Sequence, residues 1–236
     1  MKKFLLLLFV VLLVCGTMGT AGALTLSSVE GAWSNAVGGT NINYFYDVAV
    51  AYGNQKEDQV KWGDPASSAG QSGLGFTGIA PPASVFGIGS AFQIGQLRHF
   101  NNPIYTAVSA VDLAISLTFS DPAGLNDSFD FTFTVNETPN NNGGASPADD
   151  DFIFFPSSYA NETFTIGGVA YTLELLGFGD SADDLVAQFQ SPEGGTNSTL
   201  LWGRITTPPS VPEPATMLLL GFGLAGLLGF RRKLMN

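Results

Sequence analysis

The chain has 236 residues, with 9 Lys plus Arg against 20 Asp plus Glu, one histidine and one cysteine. An acidic field of that size excludes nucleic acid and other polyanions as natural partners. One histidine excludes a histidine-rich zinc centre, and one cysteine excludes an internal disulfide framework.

In chain order, Lys2 and Lys3 precede an apolar stretch from Phe4 to Val14, followed by small residues ending in Ala21-Gly22-Ala23. This is the pattern of a signal peptide over 1–23, removed by signal peptidase to leave Leu24 first. Retention as a membrane helix, and lipidation at Cys15 behind the bulky Val14, are the competing readings. With Cys15 removed, the mature chain carries no thiol chemistry, so its stability must come from an ordinary apolar core. Between Leu24 and Pro214 the basic residues are Lys56, Lys61, Arg98 and Arg204, which against 20 acidic groups leave a net charge of −16.

The body of the chain reads as sheet. Alternating apolar and polar residues occupy Asn43–Val50, Gln59–Trp62, Phe92–Leu97, Val111–Phe119, Phe129–Val135, Asp151–Phe155, Val169–Leu175, Leu185–Phe189 and Leu200–Ile205. Period-two runs rich in aromatic and β-branched residues predict half-buried strands, and clusters of Gly, Pro, Asn, Asp and Ser separate them. No long amphipathic helix interrupts the series. The expected fold is all-β: a two-layer β-sandwich over residues 24–206, jelly-roll-like, with a barrel as the alternative closure.

Candidate ligand groups lie in the connections. Glu137, Asp149 and Asp151 flank one oxygen-rich loop, and Asp180, Asp183 and Asp184 form a second. Such acidic loops suit hard Ca2+, which takes several oxygen ligands, so structural calcium is the cofactor they suggest. Trp33, Tyr44, Tyr46 and Tyr105 are candidate contacts for a neutral glycan. No nucleophile pattern surrounds His99, and Gly-x-Ser-x-Gly is absent; His99 reads as a structural side chain packed near Phe100 and Pro103. Adjacent carboxylates at 149–151 and 183–184 have no separation fixed by sequence, which leaves a glycosidase pair unsupported. The chain is therefore read as non-catalytic.

At the other end, residues 207–214 form a linker closing on Val211-Pro212-Glu213-Pro214, and 215–236 form an apolar segment with a basic tail. Ala215 to Phe230 carries no charge, and as a helix it would span roughly 24 Å. Leu234, Met235 and snorkelling basic side chains extend it towards a transmembrane span, with Arg231, Arg232 and Lys233 on the cytoplasmic side.

Taken together, Val211-Pro212-Glu213-Pro214, the apolar run and Arg231-Arg232-Lys233 resemble the PEP-CTERM sorting signal of Gram-negative bacteria. The resemblance implies an inner-membrane precursor, recognition and cleavage by an exosortase-type enzyme, and delivery to the cell surface or an exopolysaccharide matrix. The body is similar in turn to the choice-of-anchor K group of exported domains. That likeness rests on Val60-Lys61-Trp62-Gly63, Gln71-Ser72-Gly73-Leu74, Phe92 through Ile104, Asn136 through Asn140, and Leu201-Trp202-Gly203-Arg204-Ile205. Arg98 stands where the group more typically carries Thr. The group implies surface placement with varied anchors and no established activity. The sequence thus points to a non-catalytic surface or matrix protein, with a calcium-dependent glycan-binding or adhesion module as the alternative and a secreted glycoside hydrolase behind both.

Overall fold

The computed structural model describes residues 23–50, 56–79, 85–121, 125–138, 147–156, 163–166, 168–207, 219 and 221–223. Two compact units divide the chain, Met1–Thr206 and Thr207–Asn236. In the second unit, residues 219 and 221–223 are helical. No helix among the described residues is long and apolar enough to cross a membrane. Residues 1–22 of the expected signal peptide, Val211–Pro214, Arg231–Lys233 and nearly all of the expected 215–236 membrane segment lie outside the described residues.

The first unit is built of strands β1 (Leu24–Gly38), β2 (Asn43–Ala49), β3 (Lys56–Trp62), β4 (Ser72–Gly78), β5 (Val85–Phe86), β6 (Ala91–Asn101) and β7 (Val108–Asp121). They continue with β8 (Leu125–Asn136), β9 (Asp151–Phe154), β10 (Thr163–Ile166), β11 (Val169–Phe178), β12 (Gln188–Ser191) and β13 (Gly195–Thr206). A single 3-10 turn, Pro147–Asp149, leads into β9. One sheet has the order β12-β9-β8-β7-β1-β5 and the other β10-β11-β13-β6-β4-β3-β2. The strand pairings within both are antiparallel. This is the two-sheet arrangement of a β-sandwich.

Alternation explains the core. On β7, Val111, Leu113, Ile115, Leu117 and Phe119 are buried, and on β8 so are Phe129, Phe131, Phe133 and Val135. From the other sheet, Leu74, Phe76, Leu97, Leu173, Leu201 and Ile205 join the same cluster. Each fully buried Phe or Leu contributes roughly 1.5–3 kcal/mol by leaving water, so a domain without a disulfide is held by these rows of side chains.

Several strands show no simple alternation in the sequence. β1 pairs with β7 through register shifts between Thr25/Leu26, Leu26/Ser28, Ser34/Val37 and Val37/Gly38. The Leu26/Ser28 and Ser34/Val37 shifts put an extra residue on β1, and the first moves the buried parity from Leu24 and Leu26 to Val29 and Trp33, so no single period of two spans the 15 residues. β4 is buried at all seven positions yet contains three glycines. A Cβ at Gly78 would lie 1.8 Å from the Val29 carbonyl oxygen, so the strand packs by backbone contact where side chains cannot fit. The short β5 and β10 offer too few residues for a pattern. Near the chain's acidic turn, Leu185–Phe189 is not one strand: Val186 bridges Phe178, and β12 starts at Gln188.

β6 carries the irregularity that matters most. Its partner β13 pairs Leu201 with Gly95 but Trp202 with Gln93, so Ile94 is the extra residue of a bulge. Before the bulge Phe92 and Ile94 are buried; after it, Leu97, His99 and Asn101 are. Unbroken alternation from Phe92 would have sent Gln96, Arg98 and Phe100 inward and turned His99 out.

Candidate functional site

The inward rows of three strands end in polar residues. β6 runs Leu97, His99, Asn101; β8 runs Phe131, Phe133, Val135 and its alternation continues to Glu137; β9 begins with Asp151 before Ile153. Asn136 pairs with Phe152 and Val135 with Ile153, which sets Glu137 beside Asp151 at one end of the six-stranded sheet. His99 faces them from the seven-stranded sheet. Its neighbours there are Leu74 of β4 in the register and, through its ring, Trp62 of β3, with centroids 6.5 Å apart and planes at 25°.

One donor atom from each of His99, Glu137 and Asp151 lies within 4.8 Å of the other two. Among the described residues this is the one such group of three metal-ligating side chains. His99 and Asp151 are fully buried and the Glu137 side chain is 9% exposed. Neutral donors orient the carboxylates. The Trp62 indole donates to Glu137 Oε1 at 2.8 Å, and the Thr138 backbone N–H and hydroxyl donate to Asp151 Oδ1 at 2.7 and 3.1 Å. Ser72 Oγ donates to the Phe100 carbonyl at 2.9 Å and stands 3.4 Å from His99 Nε2. Two buried atoms of the cluster, His99 Nδ1 and Asp151 Oδ2, have no hydrogen-bond partner.

Burial governs the protonation of all three. It pushes His99 down to about 3, so the imidazole is neutral. The 4.0 Å approach of His99 Nε2 to Glu137 Oε1 is accordingly not an ion pair. Asp151 is pushed up to about 8, first by burial and then by the charge and hydrogen bond of Glu137, against the Thr138 donors. Glu137 is raised by burial and by the charge of Glu193, with Asp151, Ser72 and Trp62 opposing through hydrogen bonds. Two carboxyl groups so placed hold either a shared proton or a cation. That is the chemistry the arrangement offers: a mixed nitrogen and oxygen pocket joining the facing sheets.

The structure places the other candidates apart from this cluster. Asp149 is buried in the 3-10 turn before β9, and Asp180, Asp183 and Asp184 are exposed in the turn after β11; none of the four belongs to the cluster. Trp33 offers no face to a glycan: it is 2% exposed, its ring packs edge-on against Phe133, and its indole donates to the Asp58 carbonyl at 2.9 Å. Tyr44 is half-buried, its hydroxyl accepting from the Ala36 N–H at 3.2 Å. Tyr46 and Tyr105 are 63% and 77% exposed. His99 was not legible as a partner of Glu137 and Asp151; the sequence signal that links them is a polar residue at the inward parity where a strand's apolar row ends.

A separate polar cleft of about 340 Å3 is lined by Glu30, Asp47, Lys56, Asp58 and Phe76 among others, and Lys56 pairs with Asp47 at 3.3 Å. On the outer face of the seven-stranded sheet, Arg98 makes a two-pronged pair with the fully buried Glu57, both contacts at 2.5 Å, while its guanidinium lies 4.9 Å from the Phe100 ring.

The fold and the cluster define an antiparallel β-sandwich with a buried histidine–carboxylate site where its sheets meet. At the C-terminus, residues 210–233 match the PEP-CTERM protein-sorting motif. The motif supports processing by an exosortase-type system, which implies an exosortase as partner and a surface or extracellular destination. No curated protein matches the chain.

Proposed function

We propose that this chain is the precursor of a non-catalytic surface or matrix protein of a Gram-negative cell, whose sandwich domain is carried out of the cytoplasm and retained by exopolysaccharide. Signal peptidase removes residues 1–23, the 215–236 segment holds the precursor in the inner membrane with its basic tail inside, and exosortase processing near Pro212-Glu213-Pro214 frees the domain. The observation that carries this reading is a sorting motif at 210–233 that follows an antiparallel β-sandwich in the chain. The net charge of −16 over 24–214 favours a neutral or cation-bridged polymer over a polyanion.

The test is made in a host that encodes an exosortase, with an epitope tag placed after residue 24. Wild type is expected in the surface and polysaccharide fractions with its C-terminus cut near Glu213, and Glu213→Ala or loss of the exosortase should leave an uncut membrane-bound precursor. Loss of polysaccharide synthesis should release the processed domain into the medium. Cytosolic protein retaining both Met1 and Asn236 would overturn the reading.

A further inference from the structure

We propose that His99, Glu137 and Asp151 bind one divalent transition-metal ion of the zinc or manganese class, which ties the two sheets together at one end of the sandwich. The inference goes beyond surface delivery and stands or falls independently of it.

Three observations converge. The first is placement: the donors come from β6, from the residue after β8 and from the first residue of β9, so the set spans both sheets. The second is reach. Two atoms each about 2.1 Å from a common ion are at most about 4.2 Å apart, and the three donor atoms already lie within 4.8 Å of one another. The gap closes with side-chain shifts of well under about 1 Å. The third is what the hydrogen bonds leave over. Thr138 occupies Asp151 Oδ1 twice, while Asp151 Oδ2 is buried without a hydrogen-bond donor. Core polar atoms are normally paired, because burial takes them out of reach of water. An ion supplies the missing partner.

The neighbours resemble an outer shell. Trp62 donates to Glu137 and Thr138 to Asp151, contacts of the kind that fix ligating carboxylates in place. Ser72 Oγ stands 3.4 Å from His99 Nε2 and offers a further oxygen. The imidazole decides the class of ion. Calcium takes an all-oxygen shell, whereas a neutral imidazole with two carboxylates suits borderline Zn2+, or Mn2+ as a harder first-row ion that accepts a nitrogen ligand among oxygens. Complete burial of two of the three ligands suits a structural ion.

The full chain, purified in detergent and stripped with chelator, is titrated calorimetrically with ZnCl2, MnCl2 and CaCl2 in turn, and metal content is measured in protein that was never stripped. One ion per chain is expected, with zinc or manganese binding at least about 100-fold more tightly than calcium and raising the Tm. Asp151→Asn keeps the side-chain shape and should weaken binding about 100-fold or more while the near-ultraviolet circular dichroism remains native. His99→Gln should shift the preference towards calcium; should it fail to fold, Co2+ loaded into wild type reports the same ligand by the paramagnetic shift of its imidazole resonances. Absence of stoichiometric zinc or manganese binding overturns the proposal. So does unchanged affinity in folded Asp151→Asn, or calcium binding that His99→Gln leaves untouched.

Discussion

Trp62 and Glu137 are 75 residues apart in sequence, yet the indole N–H of one reaches the carboxylate of the other at 2.8 Å across the space between the sheets. The same indole stacks on His99. A fully buried tryptophan thus does two things: it fills the end of the core, and it satisfies an acid that alternation sends inward. Trp62→Phe keeps an aromatic ring over His99 and deletes the donor. It should cost about 1–3 kcal/mol, the penalty of leaving a buried acceptor short of a partner, plus a contribution from the smaller ring. A double-mutant cycle with Glu137→Met, which removes the acceptor at similar side-chain length, separates the two when read by chemical denaturation; a coupling energy near zero would show that the bond contributes nothing.

The acid pair also fixes a pH response in chelator-stripped protein. Asp151 rises from an ordinary 3.8 to about 8 in the fold, so between those values the native state binds the extra proton and stability falls as pH rises. His99, lowered from 6.5 to about 3, acts in the opposite sense, its contribution lost as pH falls from 6.5. The two oppose each other from about pH 4 to 6.5, and from 6.5 to 8 His99 no longer contributes, while Glu137, raised like Asp151, acts in the same sense as its neighbour. There the slope should be negative, at most about 1.4 kcal/mol per pH unit for one proton, with Glu137 and Glu193 facing the same site and Trp62, Ser72 and Thr138 supplying neutral donors. Equilibrium unfolding at pH 6.5 and 8.0 measures it, and Asp151→Asn should flatten it. A wild-type slope of zero in the stripped protein would contradict the burial of this carboxyl.

How much of this was legible in the sequence divides along one physical line. β7 and β8 were plain because Val111 to Phe119 and Phe129 to Val135 keep a strict period of two between the same two faces. β1 and β4 were not, because bulges in one and glycines at 73, 75 and 78 in the other erase the alternation without preventing the strand. Glu137 and Asp151 could be placed at one connection from their spacing. Their meeting with His99 could not, since it depends on the bulge at Ile94 and Gly95, which reverses the parity of everything after it on β6. The acids at 180, 183 and 184 lie exposed in the turn after β11, apart from the cluster that the bulge assembles.

On the opposite face of the same strand, Arg98 is a quarter exposed and Glu57 is fully buried. Gln59 and Thr77 add hydrogen bonds to that carboxylate at 2.6 and 3.4 Å. Removing one partner of such a pair strands the other, so Arg98→Ala should cost about 3 kcal/mol, the lower end of the range for a buried pair because the guanidinium keeps some access to water. Adding Glu57→Gln in the same chain should recover part of the loss. Urea denaturation of the two variants checks this, and a double variant less stable than Arg98→Ala would show that Glu57 stabilises the sheet without its partner.

Gly95 is where the fold and the site meet. A Cβ added there would lie 2.4 Å from the Thr77 carbonyl oxygen and 2.8 Å from the Phe76 ring, against backbone and a packed core side chain that have no room to withdraw. Gly95→Ala must therefore open the contact between β4 and β6 or lose the bulge, and losing the bulge turns His99 away from Glu137 and Asp151. The expected cost is about 3 kcal/mol, at the upper end for overpacking, with metal affinity falling in whatever protein still folds. Gly195→Ala on β13 is the control, since nothing lies within 4 Å of its Cβ position; it should change stability by no more than about 0.5 kcal/mol. Denaturation midpoints and zinc titrations on both variants decide the matter: equal effects at 95 and 195 would mean that the bulge is not what holds His99 in register.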